Sequence, residues 1–174
     1  MRITRLWPNA DWVTIWKNLQ AAQVSGLDTA TWYKVIHDII PTNIRLHRIK
    51  MSPTDTCKDC GSKDTLGHRL TECGEGTTTW GRTKSIIARI LRISAANIPD
   101  EWLLCPQFRQ RPPQQHRAVL WVLAQYVTFW TNHPCHLTQQ DLMDFMRSSK
   151  WKMYQQTSRA KNVANFLTVL DMPY

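Results

Sequence analysis

Apolar side chains recur along most of this chain at three- and four-residue intervals, the period of a helix with one face turned inward. Trp12, Ile15, Trp16 and Leu19 predict a first helix, with Gly26 as its stop. Trp32, Val35, Ile36, Ile39 and Ile40 predict a second, capped by Asp28 or Thr29 and terminated by Pro41. A short third helix, from Asn43 to about Met51, carries Ile44, Ile49 and several cations, and Pro53 then opens a polar loop. The glycines and threonines of residues 74–79 read as a flexible exit from that loop. Trp80, Ile87, Ile90 and Leu91 then mark one face of a helix ending near Ile93, with Arg82, Arg89 and Arg92 on the opposite face. Prolines 99, 106, 112 and 113 make residues 94–113 a connector, with one turn around Trp102. Val119, Leu120, Leu123, Tyr126, Val127 and Trp130 form the stripe of a helix from Gln114 to Thr131. Thr138 caps the next, which runs to about Gln156 with Leu142, Phe145, Met146 and Met153, and a last helix covers Arg159 to Leu170. No segment alternates with the period of a strand. The expected fold is all-α, in three segments of one compact domain: residues 1–54, a loop at 55–75, and residues 76–174.

Composition adds a direction. The 174 residues carry a net charge of +9 and a pI near 9.6, a balance that favours polyanions, nucleic acid first. Nine tryptophans are expected mostly in the core, with a minority open to stack on bases. No apolar run approaches the roughly 20 residues of a membrane span, and the first residues lack the apolar core of a secretion signal. The expected compartment is reducing, nucleus or cytoplasm, where clustered cysteines read as metal ligands rather than disulfides.

The chemistry sits in the loop. Cys57, Cys60, His68 and Cys73 are spaced C-x2-C-x7-H-x4-C within 17 residues. Three thiols and an imidazole form one of the standard ligand sets of structural zinc. The two-residue gap lets two thiolates meet one ion from a tight turn, and Gly61 stands where that turn needs a residue without a Cβ. All four positions are filled by protein, so one Zn2+ here would be structural, with no open position for a reactive water. Leu66 and Leu70, flanking His68, are the expected docking contacts of this zinc-knuckle-like loop. The run His133-Pro134-Cys135-His136 looks like a fragment of another metal site, with no distant partner pair except Cys105 or His116, and His37 and His47 read as packed or surface histidines.

Basic residues surround the loop: Arg45, Arg48 and Lys50 before it, Lys58, Lys63 and Arg69 inside it, and Arg82, Lys84, Arg89 and Arg92 after it. Three consecutive elements with this bias point to phosphate contact. A second basic run, Arg147, Lys150, Lys152, Arg159 and Lys161, reads equally well as a solvated face. No catalytic residues are expected: the chain has no phosphate-binding glycine loop, no nucleophile elbow, no HExxH, and no aspartate pair for two metals.

These residues also resemble a family. Thr31-Trp32-Tyr33, Ile40-Pro41-Thr42 and Leu46, then the four ligands in their x2, x7 and x4 spacing, then Trp80, are similar to the zinc-binding region of non-LTR (LINE-type) retrotransposon reverse transcriptases. The resemblance covers about residues 30–92. It implies Cys57, Cys60, His68 and Cys73 as zinc ligands. It also implies a parent RNA-directed DNA polymerase whose reverse transcriptase domain lies upstream, and a role in binding element RNA or target DNA during target-primed reverse transcription. The spacing departs from the retroviral nucleocapsid knuckle, which has four residues between its second Cys and its His. The polymerase Asp-Asp pair is absent. Pro99-Asp100 is followed by no aspartate before Asp141, which rejects the nuclease some of these elements carry. The resemblance makes this chain a C-terminal fragment, or a separate remnant, of a transposable-element polyprotein. The alternatives are a structural or self-association module bracing the polymerase, or a decayed remnant.

Overall fold

The computed structural model describes residues 11–21, 24–103, 113–132, 138–154 and 165–171. Its architecture follows from one helix, α5 (Pro113–Asn132), in which every residue from Ala118 to Trp130 is buried. The sequence predicted a stripe here. A helix buried on all sides needs neighbours on all sides, and four helices supply them: α1 (Trp12–Ala21), α2 (Gly26–Ile36), α4 (Gly74–Leu91) and α6 (Gln139–Tyr154). A short α3 (Asn43–Arg48) leads from α2 into the cysteine loop. Two 3₁₀ turns, Ala95–Asn97 and Asp100–Leu103, follow α4, and a final 3₁₀ helix, Asn165–Asp171, packs on α4, α5 and α6. The fold is all-α with a Cys3His loop. Among the described residues no strand forms, and a lone antiparallel bridge joins Thr56 and Lys63.

Gln125, Tyr126, Thr128 and Trp130 on buried α5 find hydrogen-bond partners across the core, as buried polar atoms should. Gln125 Nε2 and Thr128 Oγ1 donate to the Asp28 carboxylate at 3.0 and 2.7 Å, clasping α2. Tyr126 donates its hydroxyl to the carbonyls of Leu70 and Gly76, and Trp130 Nε1 donates to Thr79 Oγ1 at 3.1 Å. Burial also pushes the Tyr126 phenol well above its ordinary range. Trp32, Trp80, Trp121 and Trp130 lie in the core as expected, and Leu66 and Leu70 join it from the loop.

Helix ends differ from the sequence expectation. Gly26 begins α2 rather than stopping α1. The N-cap is Ser25, and Asp28 is its capping-box partner three residues on. α2 ends at Ile36, before Pro41, and α3 ends at Arg48. Both stops, and that of α4, are Schellman closures built on residues other than glycine. Asp38, Lys50 and Arg92 take positive φ of 49°, 61° and 54°. Beyond them Ile39, Met51 and Ile93 donate back to the carbonyls of Lys34, Leu46 and Ala88. The glycine–threonine run read as a flexible exit is the start of α4. The predicted helix 159–170 appears as the 3₁₀ helix at 165–171, and residues 155–164 lie outside the described chain. Among the described residues, no helix is long and apolar enough to cross a membrane.

Candidate metal centre

The loop is built outward from Asp64, a buried carboxylate. It accepts the Asn43 backbone N–H at 2.6 Å, satisfying the open N-terminus of α3, and holds Arg69 through two bonds of 2.6 and 2.5 Å. The Asn43 side chain donates to the Thr56 carbonyl at 2.8 Å, and Asp64 N to Asp55 O at 2.9 Å. These bonds fix the two ends of the hairpin that carries Cys57 and Cys60. Inside it, Cys57 N donates to Ser62 O and Gly61 N to Cys57 O, closing a turn in which Gly61 sits at φ +74°. An L side chain is strained there, so the backbone conformation favours glycine.

The other two ligands come from a π-helical turn, His68–Glu72, which Cys73 closes by donating its N–H to the His68 carbonyl at 2.7 Å. This geometry explains the x4 gap. On an α-helix, residues five apart lie about 140° apart around the axis. The wider π turn brings the fifth residue back toward the first, so His68 and Cys73 face one point.

The ligand atoms of Cys57, Cys60, His68 and Cys73 lie within 4.8 Å of one another. Cys57 Sγ is 3.8 Å from Cys73 Sγ, and Cys60 Sγ is 3.2 Å from His68 Nε2. A tetrahedron with metal–sulfur bonds of about 2.3 Å has an edge of about 3.8 Å, so the cluster is the right size for one ion. The four residues can hold a metal ion. The second ring nitrogen of His68 faces Glu72 Oε2 at 3.9 Å, an orientation that carboxylates give to metal-bound imidazoles. Electrostatics favours a cation as well. Burial and the adjacent Cys57 and Cys60 sulfurs push the Cys73 thiol up to about 12, while the Ser62 backbone N–H and hydroxyl pull exposed Cys60 down. Thiolates crowded this closely need a positive charge between them.

The basic residues divide into two sets. Arg45 is half-buried and donates to the Asp38 carbonyl at 2.8 Å; Lys63 pairs with Asp55 at 3.7 Å; Arg69 is held by Asp64; and Lys84 pairs with Asp100 at 2.7 Å over the Trp80 ring. Arg82 is half-buried on α4. Arg48, Lys50 and Lys58 are exposed near the loop, and Arg89 and Arg92 are exposed at the far end of α4. In the second basic run, Arg147 donates to the Leu170 carbonyl and Lys150 pairs with Asp171, so both fasten the final 3₁₀ helix. The side chain of Lys152, with Arg159, Lys161, Cys105 and the 133–136 run, lies outside the described residues.

Asp64 and Glu72 escaped the sequence reading. Glu72 is legible as the residue one turn beyond His68. Asp64 carries no signal of its own, because its partners lie 21 residues before it and five after it.

The chain matches no protein-family model, no curated protein and no solved structure.

Proposed function

We propose that this chain is a zinc-stapled nucleic-acid-binding module, of the kind found in the C-terminal part of non-LTR retrotransposon reverse transcriptases. The observation that carries the reading is the closed Cys3His cluster, with exposed Lys58 inside its loop, exposed Arg48 and Lys50 just before it in the chain, and no pairing carboxylate for the three among the described residues. Cys57, Cys60, His68 and Cys73 would hold Zn2+, which supplies charge neutralisation and folding energy to the loop and no reaction chemistry. The polypeptide does the rest. Asp64 and Arg69 lock the loop to α3, the π turn aims the last two ligands, and Leu66 and Leu70 seat the loop on the core. The free cations then stand on a rigid base and meet phosphates at fixed spacing. An exposed base can stack on an aromatic ring, as single-strand binders do.

The test pairs metal content with binding. Purified protein is expected to carry one zinc per chain, and Cys60→Ser to lose it. Affinity for single-stranded RNA or DNA, read by fluorescence anisotropy, is expected to fall steeply with salt and to drop on chelation. Affinity unchanged by chelation removes the loop from the binding surface. A folded, zinc-loaded protein with no affinity at low salt favours the bracing role instead.

A further inference from the structure

The C-terminal end of α4, the first turns of α5 and the final 3₁₀ helix enclose a groove of about 730 Å3. It lies at the opposite end of α4 from Cys73, about 25 Å away at 1.5 Å per residue. Arg89, Arg92, Gln115, Asn165, Phe166 and Thr168 line it above an aliphatic floor from α4. Arg89 lies in the last turn of α4 and Arg92 is the left-handed residue that closes it, and both line the groove. Both are exposed, and neither has a carboxylate partner among the described residues, unlike Lys63, Arg69, Lys84, Arg147 and Lys150. Phe166 is half-buried in the wall. Gln115 spends its amide N–H on the Ile90 carbonyl at 3.3 Å and keeps its own carbonyl oxygen as an acceptor.

We infer that this groove takes one nucleotide of a single-stranded polynucleotide, the phosphate on Arg89 and Arg92 and the base against Phe166. The inference rests on the nucleic-acid reading above and adds a second contact point to it. Paired guanidinium groups suit a phosphate, which they grip through several parallel N–H bonds. The volume lies within the range of about 300–1,000 Å3 typical of small-molecule sites. An aromatic ring beside amide and hydroxyl groups suits a base, with its flat face and hydrogen-bonding edge. A base inside a duplex cannot enter such a groove, so the site selects unpaired nucleotides. Arg92 and Arg89 also offset the negative end of α4, a role that one cation fills without a groove.

The experiment uses the zinc-loaded full chain and a fluorescent oligouridine. Arg89→Ala/Arg92→Ala is compared with Arg48→Ala/Lys58→Ala, with circular dichroism as the check on folding. The groove variant is expected to bind more weakly, with a log–log salt slope shallower by about 0.7, one phosphate's worth for a single strand. Wild-type protein irradiated with a 4-thiouridine oligonucleotide is expected to crosslink within residues 165–169, and a duplex of the same sequence is not. Wild-type binding with an unaltered groove variant, or with crosslinks confined to the metal loop, overturns the groove and leaves the nucleic-acid reading standing. No wild-type binding at low salt overturns both. Poly-glutamate competing as well as the oligonucleotide assigns the groove to acidic peptides and overturns the proposal.

Discussion

Two glycines of α4 separate backbone need from helix preference. A Cβ on Gly76 would stand 2.6 Å from the Arg69 carbonyl oxygen, which is backbone and cannot swing away, whereas a Cβ on Gly74 meets nothing within 4 Å. Gly76→Ala is therefore expected to cost about 1–3 kcal/mol through overpacking, and Gly74→Ala to stay within about 0.5 kcal/mol of wild type. Urea titrations of the two variants make the comparison. A titrating group supplies the second test. Burial first, then the Arg117 charge, pushes the His116 imidazole down to about 4. Above about pH 6.5 neither folded nor unfolded chain binds this proton. Between about 6.5 and 4 the unfolded chain binds it and the fold does not, so stability falls with acidification over that window. His116→Gln is expected to lose less stability than wild type between pH 7.5 and 5. Metal-ligand protonation is common to both proteins and cancels in the difference.

Helix termini show what local sequence leaves unsaid. Glycine is the usual left-handed stop because it lacks a Cβ, yet α2, α3 and α4 stop on Asp38, Lys50 and Arg92. No glycine marks those ends, so the pattern ran α2 on to Pro41 and α3 on to Met51. Lys50→Gly is expected to raise stability by about 1 kcal/mol by relieving the left-handed strain, measured as the shift in urea midpoint at constant slope. The start of α4 was hidden for the opposite reason. Two glycines and three β-branched threonines have poor intrinsic helix propensity. Contacts distant in sequence hold the turn: Tyr126 on the Leu70 and Gly76 carbonyls, and Trp130 on Thr79. The Cys3His cluster, by contrast, was legible as a group that could hold a metal ion, because four scarce donors within 17 residues declare themselves by spacing. Which cations near them remain free was not legible, since pairing of Arg69 with Asp64 depends on how the loop closes.

At the scale of the molecule, α5 organises everything, and its apolar stripe was readable while the burial of every residue from Ala118 to Trp130 was not. Burial on all sides depends on how many helices surround it, a property of the assembly. The same assembly splits the basic residues between the metal loop and the far end of α4, where the sequence had grouped them in three consecutive elements around the loop. One contact within it has a kinetic meaning. The Asp28 carboxylate meets Gln125 and Thr128 across 97 and 100 residues of chain, while Cys57 and Cys73 meet across 16. Closing the longer loop costs about 1.6 kcal/mol more in chain entropy, so the metal loop and the α4–α5 pair are expected to form before α2 docks. Thr128→Val, which removes one strand of the clasp, is then expected to speed unfolding and leave the folding rate nearly unchanged. Stopped-flow measurement of both limbs would reveal the order, and a slowed folding limb would place the clasp in the nucleus.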